Sequence, residues 1–347
     1  MRTMRTVFSR LTIASLLGAT VIACASAQAA ENQAEVSSPA SASSFTKKKV
    51  SFKNNQVSMA GELYLPKNYE ALGKLPAIII SHPAGGVKEQ APAPYARGLV
   101  EKGFIILTYD ASHQGESGGE PRYLENPFDR VEDIRCAVDY LTTLPFVDSN
   151  RIGAMGMCAG GGYSISAATT DRRIKAVAGV SATDAGSAMR DGWDVPNPVS
   201  EQLKLLEAAS AQRTAEANGK PIAYGGYVPN ELDRNLPNTM QEAYEYYRTP
   251  RAQHPNSVNK VMFTSFIPLF TFSATDRIDT LLTQPLLLVA GSKSDAMHFS
   301  KKFIDQAASK KKEIYVVKGA THIDLYDKEA PVGEAVAKLG SFFKGNL

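Results

Sequence analysis

Gly156-Met-Cys-Ala-Gly-Gly-Gly162 joins two segments of different character. Residues 149–155 (SNRIGAM) read as a strand, and residues 163–170 (YSISAATT) read as the opening turns of a helix. A cysteine on a tight strand-to-helix turn has a chemical reading. Glycines two residues either side remove side chains that would collide with the neighbouring strand and helix, so Cys158 can take a strained backbone conformation. There it would stand at a helix N-terminus, whose dipole and free N–H groups favour a thiolate nucleophile. The N–H of Ala159 is then placed to donate to an oxyanion. The plainer reading is a buried cysteine beside a glycine-rich packing turn. A rival, Gly115-Glu-Ser-Gly-Gly119, matches G-x-S-x-G literally, but EPRYLENP follows and no helix can start there. Ser117 therefore reads as a loop residue.

Working outward, the chain from residue 45 begins with two alternating runs, KKKVSFKNN and VSMAGELYLP, that read as an antiparallel pair. Buried-strand runs and helical patterns then alternate: PAIIIS (76–81), a helix from APAPYARGLV, FIILTYD (104–110), the helix RVEDIRCAVDYLTTL, RIGAM, the helix after the glycines, and IKAVAGVS. PLLLVAGS (285–292), a helix over 297–308, EIYVVKG (313–319) and a helix over 328–344 complete the series. This order predicts an α/β fold, a mostly parallel sheet flanked by helices. Residues 184–283 interrupt the rhythm with Asn, Pro, Arg and Tyr and two predicted helices (199–215, 239–247). They read as an inserted cap over the carboxyl edge of the sheet, leaving 45–183 and 284–347 as the core.

A thiol nucleophile needs a base and an orienting acid. His322, in KGATHIDLYD, follows the last expected strand, and Asp295, in GSKSDAMHF, follows the one before it. Both positions let a loop carry the side chain over the sheet edge. The competing readings are a surface-loop histidine and a helix N-cap aspartate; Asp324 is the fallback acid. A second oxyanion donor is expected after PAIIIS, where the chain reads His82-Pro-Ala-Gly-Gly86. Pro83 has no N–H, so Ala84, or its neighbour Gly85, is expected to donate. His82 reads as a structural hydrogen-bonding residue, and Asp110 and His113 as loop anchors. Phe263, Phe266, Phe270 and Phe272 in the cap are candidates for an acyl pocket, with packing inside the cap as the alternative. Arg248 and Arg251 read either as anion ligands or as a solvated face.

The first thirty residues stand apart. Arg2, Arg5 and Arg10 precede an apolar run, LTIASLLGATVIA, too short for a membrane span, and small residues at 25–29 offer cleavage sites. Residues 1–30 thus read as a secretory signal peptide, and 31–44 (ENQAEVSSPASASS) as a disordered tether. Val21-Ile-Ala-Cys24 loosely matches a lipobox, which gives an alternative: an exported lipoprotein anchored through Cys24. Both readings place the protein outside the cytoplasm, periplasmic or secreted. The leader's three arginines account for the formal excess of +3, so the mature chain is formally neutral, which argues against nucleic acid as a partner. Cys136 lies in an apolar-periodic helix and reads as a buried free thiol rather than half of a bridge to Cys158. With no metal-ligand cluster, dinucleotide motif or P-loop in the right context, no cofactor is expected.

These segments resemble a family. G-M-C-A-G-G is similar to the G-x-C-x-G-G of dienelactone hydrolases, and SHPAGGVKEQ, YDASHQGESGG, EYYRTPRAQHPNS and GATHIDLYD resemble capped bacterial relatives of fungal polyketide transferases. The resemblance implies an α/β-hydrolase fold, the triad Cys158, Asp295 and His322 in the family's chain order, and ester or thioester chemistry on a small molecule. The alternatives are an acyltransferase of the same mechanism, and a non-catalytic envelope protein that binds an apolar ligand.

Overall fold

The computed structural model describes residues 44–347. The expected leader, Cys24 and nearly all of the tether therefore lie outside the described residues. The two alternating runs form β1 (Phe45–Asn54) and β2 (Val57–Pro66), an antiparallel hairpin whose turn places Asn55 at φ 50°. Asparagine tolerates that left-handed conformation, which a two-residue hairpin turn requires. The chain then alternates: β3 (Leu75–Ser81), α1 (Pro92–Val100), β4 (Ile105–Tyr109), α2 (Pro127–Thr142), β5 (Val147–Met157), α3 (Ala159–Thr170) and β6 (Ile174–Val180). Pro127 at the first position of α2 and the Asn126 carboxamide, accepting from Phe128 N–H at 3.1 Å, start that helix.

Between β6 and the next long strand the segment holds α4 (Ala185–Asp191), α5 (Val199–Ala217), β7 (Tyr224–Gly225), α6 (Asn238–Arg248), β8 (Val261–Met262), α7 (Phe266–Thr271) and α8 (Ile278–Leu281). Strands β7 and β8 pair only with each other. Then come β9 (Leu286–Gly291), α9 (Met297–Gln306), β10 (Lys312–Val317), α10 (Asp324–Asp327) and α11 (Glu329–Lys344). The main sheet has eight strands in the order β1-β2-β4-β3-β5-β6-β9-β10, parallel from β4 to β10.

Strand periodicity explains why both faces are covered. Ile79, Leu107, Ala154, Val177 and Leu288 pack with α2 and α3 on one face. Their neighbours Ile78, Ile80, Ile106, Met155, Leu287 and Val289 pack with α1 and α11 on the other. Ile78, Ile79 and Ile80 are fully buried, each contributing roughly 2 kcal/mol of apolar transfer. The segment between β6 and β9 is tied to loops at the carboxyl ends of the strands. Ser257 Oγ donates to the Gly85 carbonyl at 2.6 Å, Gln90 Nε2 to the Ala252 carbonyl at 2.8 Å, and Arg251 makes two bonds to Asp327 at 2.7 and 2.8 Å. Near its end Ala274, Ile278 and Leu282 have already rejoined the α2–α3 side of the core. Cys136 is buried in α2, and both it and Cys158 are free thiols.

Candidate active site

The turn between β5 and α3 shows why the glycines are there. Cys158 adopts φ 52°, ψ −124°, outside the regions an ordinary L-residue favours. A Cβ on Gly156 would lie 2.3 Å from the Gly160 carbonyl, and one on Gly160 would lie 2.5 Å from the Ser81 carbonyl oxygen. The strand, the turn and the helix approach too closely for any side chain there. Hydrogen bonds hold the strained residue: its N–H reaches the Val180 carbonyl at 3.1 Å, and its carbonyl accepts from Gly161 and Thr183 N–H, both at 3.0 Å.

Cys158 Sγ lies 3.5 Å from Thr183 Oγ1 and also meets the Tyr326 hydroxyl. Tyr326 OH in turn lies 3.1 Å from His322 Nε2. A phenol thus connects the thiol to the imidazole. His322 is fully buried behind the carboxyl end of β10, its carbonyl held by Ser181 Oγ at 3.1 Å. Its Nδ1 is buried without a hydrogen-bond partner, while the Asp295 carboxylate acts on the ring through its field. Asp295 itself is engaged by the cap: it accepts from Trp193 Nε1 at 3.1 Å, from Thr239 N–H at 3.0 Å and from Thr239 Oγ1. It caps α6, whose own N-cap, Pro237, has no side-chain acceptor. It does not cap α9, which begins after Ala296. Trp193 stands edge-on to His322, with ring centroids 5.4 Å apart.

The electrostatics correct one expectation. The helix N-terminus does not deliver a ready thiolate. Burial pushes the Cys158 thiol above its ordinary range, and the opposing bonds from Thr183, Tyr326 and Ala159 N–H do not overcome it. Burial likewise pulls His322 down to about 4, with Asp295 opposing.

Ala84, on the loop after β3, packs in the same core cluster as Ala159. Neither Ala84 N–H nor Ala159 N–H has a backbone acceptor among the described residues. His82 is held at both nitrogens: Nδ1 bonds the Pro83 carbonyl at 2.7 Å and Nε2 accepts from Ala111 N–H at 3.0 Å. Beside this loop a buried network fixes the floor. Arg130 donates to the His82 carbonyl at 2.8 Å and pairs with Glu125 at 3.2 Å; Glu125 also accepts from Tyr163 at 2.8 Å and Tyr227 at 3.0 Å. Ser117 is committed elsewhere, donating to the Asp110 carbonyl at 2.6 Å and accepting from Ala60 N–H at 2.8 Å.

The four phenylalanines of this segment pack on aromatic and backbone neighbours. Phe263 and Phe266 pack on each other with centroids 5.5 Å apart, and Phe272 packs on Tyr163 and Phe128. Phe270 is buried where its carbonyl accepts from Arg190. None of them belongs to the cluster around Cys158, which holds Tyr246, Tyr247 and Tyr326 instead. Reading the sequence missed those tyrosines, Thr183, Trp193 and Thr239. Only Tyr326 left a signal, standing one helical turn after His322.

This strand order and elbow define an α/β hydrolase. The chain belongs to the dienelactone hydrolase family, whose sequence profile matches residues 59–199. The Escherichia coli protein YcjY is 44% identical over 303 residues, 86% of this chain and 99% of that protein. The crystal structure of the hypothetical protein PA2218 from Pseudomonas aeruginosa superposes with a TM-score of 0.83 at 34% identity, covering 88% of this chain and 95% of that one. Fungal relatives are more distant. The thiohydrolase aneE of Aspergillus aculeatus is 32% identical over 45% of this chain and 47% of its own length. The polyketide transferase claH of Penicillium crustosum is 24% identical over 73% and 82%. The likeness to bacterial relatives and to fungal polyketide transferases, expected from the sequence motifs, is therefore present.

Proposed function

We propose that the protein is an exported hydrolase that cleaves a small ester or thioester through an acyl-enzyme on Cys158. The observation that carries this reading is the Tyr326 hydroxyl, which meets Cys158 Sγ and lies 3.1 Å from His322 Nε2, at a strained strand-to-helix elbow. The field of Asp295 favours a proton on the ring, and the tautomer protonated at Nδ1 leaves the Nε2 lone pair free to accept. The thiol proton passes to the phenol oxygen as the phenol's own proton passes to Nε2. Sulfur adds to the carbonyl carbon, and the carbonyl electron pair moves to oxygen, where Ala84 and Ala159 N–H groups donate. Collapse expels the alkoxide or thiolate, which takes a proton from the imidazolium. Water, deprotonated along the same path, then releases the acid. The name of the thiohydrolase relative supports the thioester arm, and the arginine-flanked apolar run at residues 1–30 supports export.

Intact-mass spectrometry after adding a short activated ester tests the reading. An acyl adduct on the wild type and none on Cys158→Ala is expected. An adduct on both moves the nucleophile elsewhere, and ligand retention without adduct or turnover favours a binding protein. Product transfer to an added alcohol or amine in preference to water would make the protein an acyltransferase. Mass analysis of the mature N-terminus in the producing cell tests export, and a lipid mass on Cys24 would identify the anchored form.

A further inference from the structure

The hydroxyl of Tyr247, near the end of α6 in the cap, is a buried group that the mechanism leaves unused. The residue is 7% exposed, and its hydroxyl oxygen is buried without a hydrogen-bond partner. A phenol O–H sealed from water and unpaired is costly, so its place asks for a partner that arrives with a ligand. Its surroundings say where that ligand sits. The hydroxyl oxygen lies 3.4 Å from the position a Cβ on Gly86 would occupy, on the loop that supplies the Ala84 N–H. Tyr247, Ala84, Gly85 and Ser257 line one recess. Tyr247 also shares a packed cluster with Cys158 and Tyr326. The loop is pinned to the cap beside it by the bond from Ser257 Oγ to the Gly85 carbonyl.

We infer that Tyr247 is a catalytic residue supplied by the cap, donating its O–H to the carbonyl oxygen of the bound acyl group as that oxygen becomes an oxyanion. The inference rests on the acyl-enzyme reading and adds a third donor to the two backbone N–H groups. The balance is simple: sulfur adds to carbon, the π pair goes to oxygen, and the phenol proton stays on Tyr247 while strengthening its bond to that oxygen. Burial holds the phenol well above its ordinary pKa, so it stays a donor throughout. A hole completed by the cap means that acylation depends on the seating of α6 as well as on the core.

The test compares two reactions at the same sulfur. Acylation by a short activated ester builds an oxyanion; alkylation by iodoacetamide is a displacement that builds none. In Tyr247→Phe, acylation of Cys158, followed by intact mass, is expected to slow about a hundredfold, as for loss of one oxyanion donor. Alkylation should keep the wild-type rate, and the melting temperature should not fall. Equal acylation rates in the two proteins overturn the inference. So does an equal slowing of both reactions, which would make Tyr247 a packing residue. Failure of the wild type to form any adduct on Cys158 sinks the underlying reading instead, and this inference with it.

Discussion

At the scale of the residue, the chemistry turns on how burial weighs against hydrogen bonding. Cys158 receives help from a hydroxyl, a phenol and a backbone N–H, yet desolvation still raises its pKa. Iodoacetamide labelling of Cys158, followed by peptide mass from pH 6 to 11, should therefore rise continuously past the ordinary thiol range near 9, with no plateau at neutral pH. A plateau below pH 7 would mean a thiolate–imidazolium pair. Tyr326→Phe tests the connecting phenol. It should slow acylation of Cys158 about a hundredfold, the scale of lost general acid–base help. An unchanged rate would mean direct transfer between thiol and imidazole. Of these residues the sequence announced two. Cys158 was legible because its glycines are local signals, and His322 because it follows a strand. The tyrosine hydroxyls were not, because nothing within a few residues of Tyr247 records that its helix folds over a loop near residue 84.

Among the elements, the hydrophobic period decided almost everything. Runs such as PAIIIS and PLLLVAGS have no polar face, so they had to lie inside a parallel sheet, and they do. The elbow is the most constrained junction. Gly156→Ala places a methyl 2.3 Å from the Gly160 carbonyl and should destabilise the fold by about 3 kcal/mol in denaturant unfolding. Gly333→Ala is the control. Its Cβ would meet nothing within 4 Å, and the helical position should gain up to about 1 kcal/mol. Asp295 shows where local reading stops. Next to a helix it resembles that helix's cap, yet it caps α6, whose first turn carries Thr239 56 residues earlier in the chain. Such a long-range cap depends on tertiary placement and leaves no spacing to read. The cap helices themselves were legible in outline from their periodicity, whereas the way they dock was not.

For the whole molecule, buried titrating groups set the acid response, and they oppose one another. His322 falls from 6.5 unfolded to about 4 folded, so its contribution of about 3 kcal/mol is present above 6.5 and is lost as pH falls through 4. Asp133, buried among Ser112 and Asn54, rises from 3.8 to about 6, so its similar contribution of about 3 kcal/mol is present below 3.8 and is lost as pH rises through 6. His82 follows the first pattern and Asp110 the second. Stability should therefore be nearly flat between pH 4 and 6. Asp133→Asn should uncover a loss of stability as pH drops from 6 to 4, measured by urea unfolding at stepped pH; a flat profile in the variant would refute the assignment. The sole tryptophan of the chain gives this molecule a built-in light source at the place that matters. Because Trp193 touches both His322 and Asp295, its emission reports one spot and nothing else. Quenching with a midpoint near pH 4, absent in His322→Gln, would let the imidazole be titrated optically without a label, and a red shift on adding ligand would report water reaching this spot.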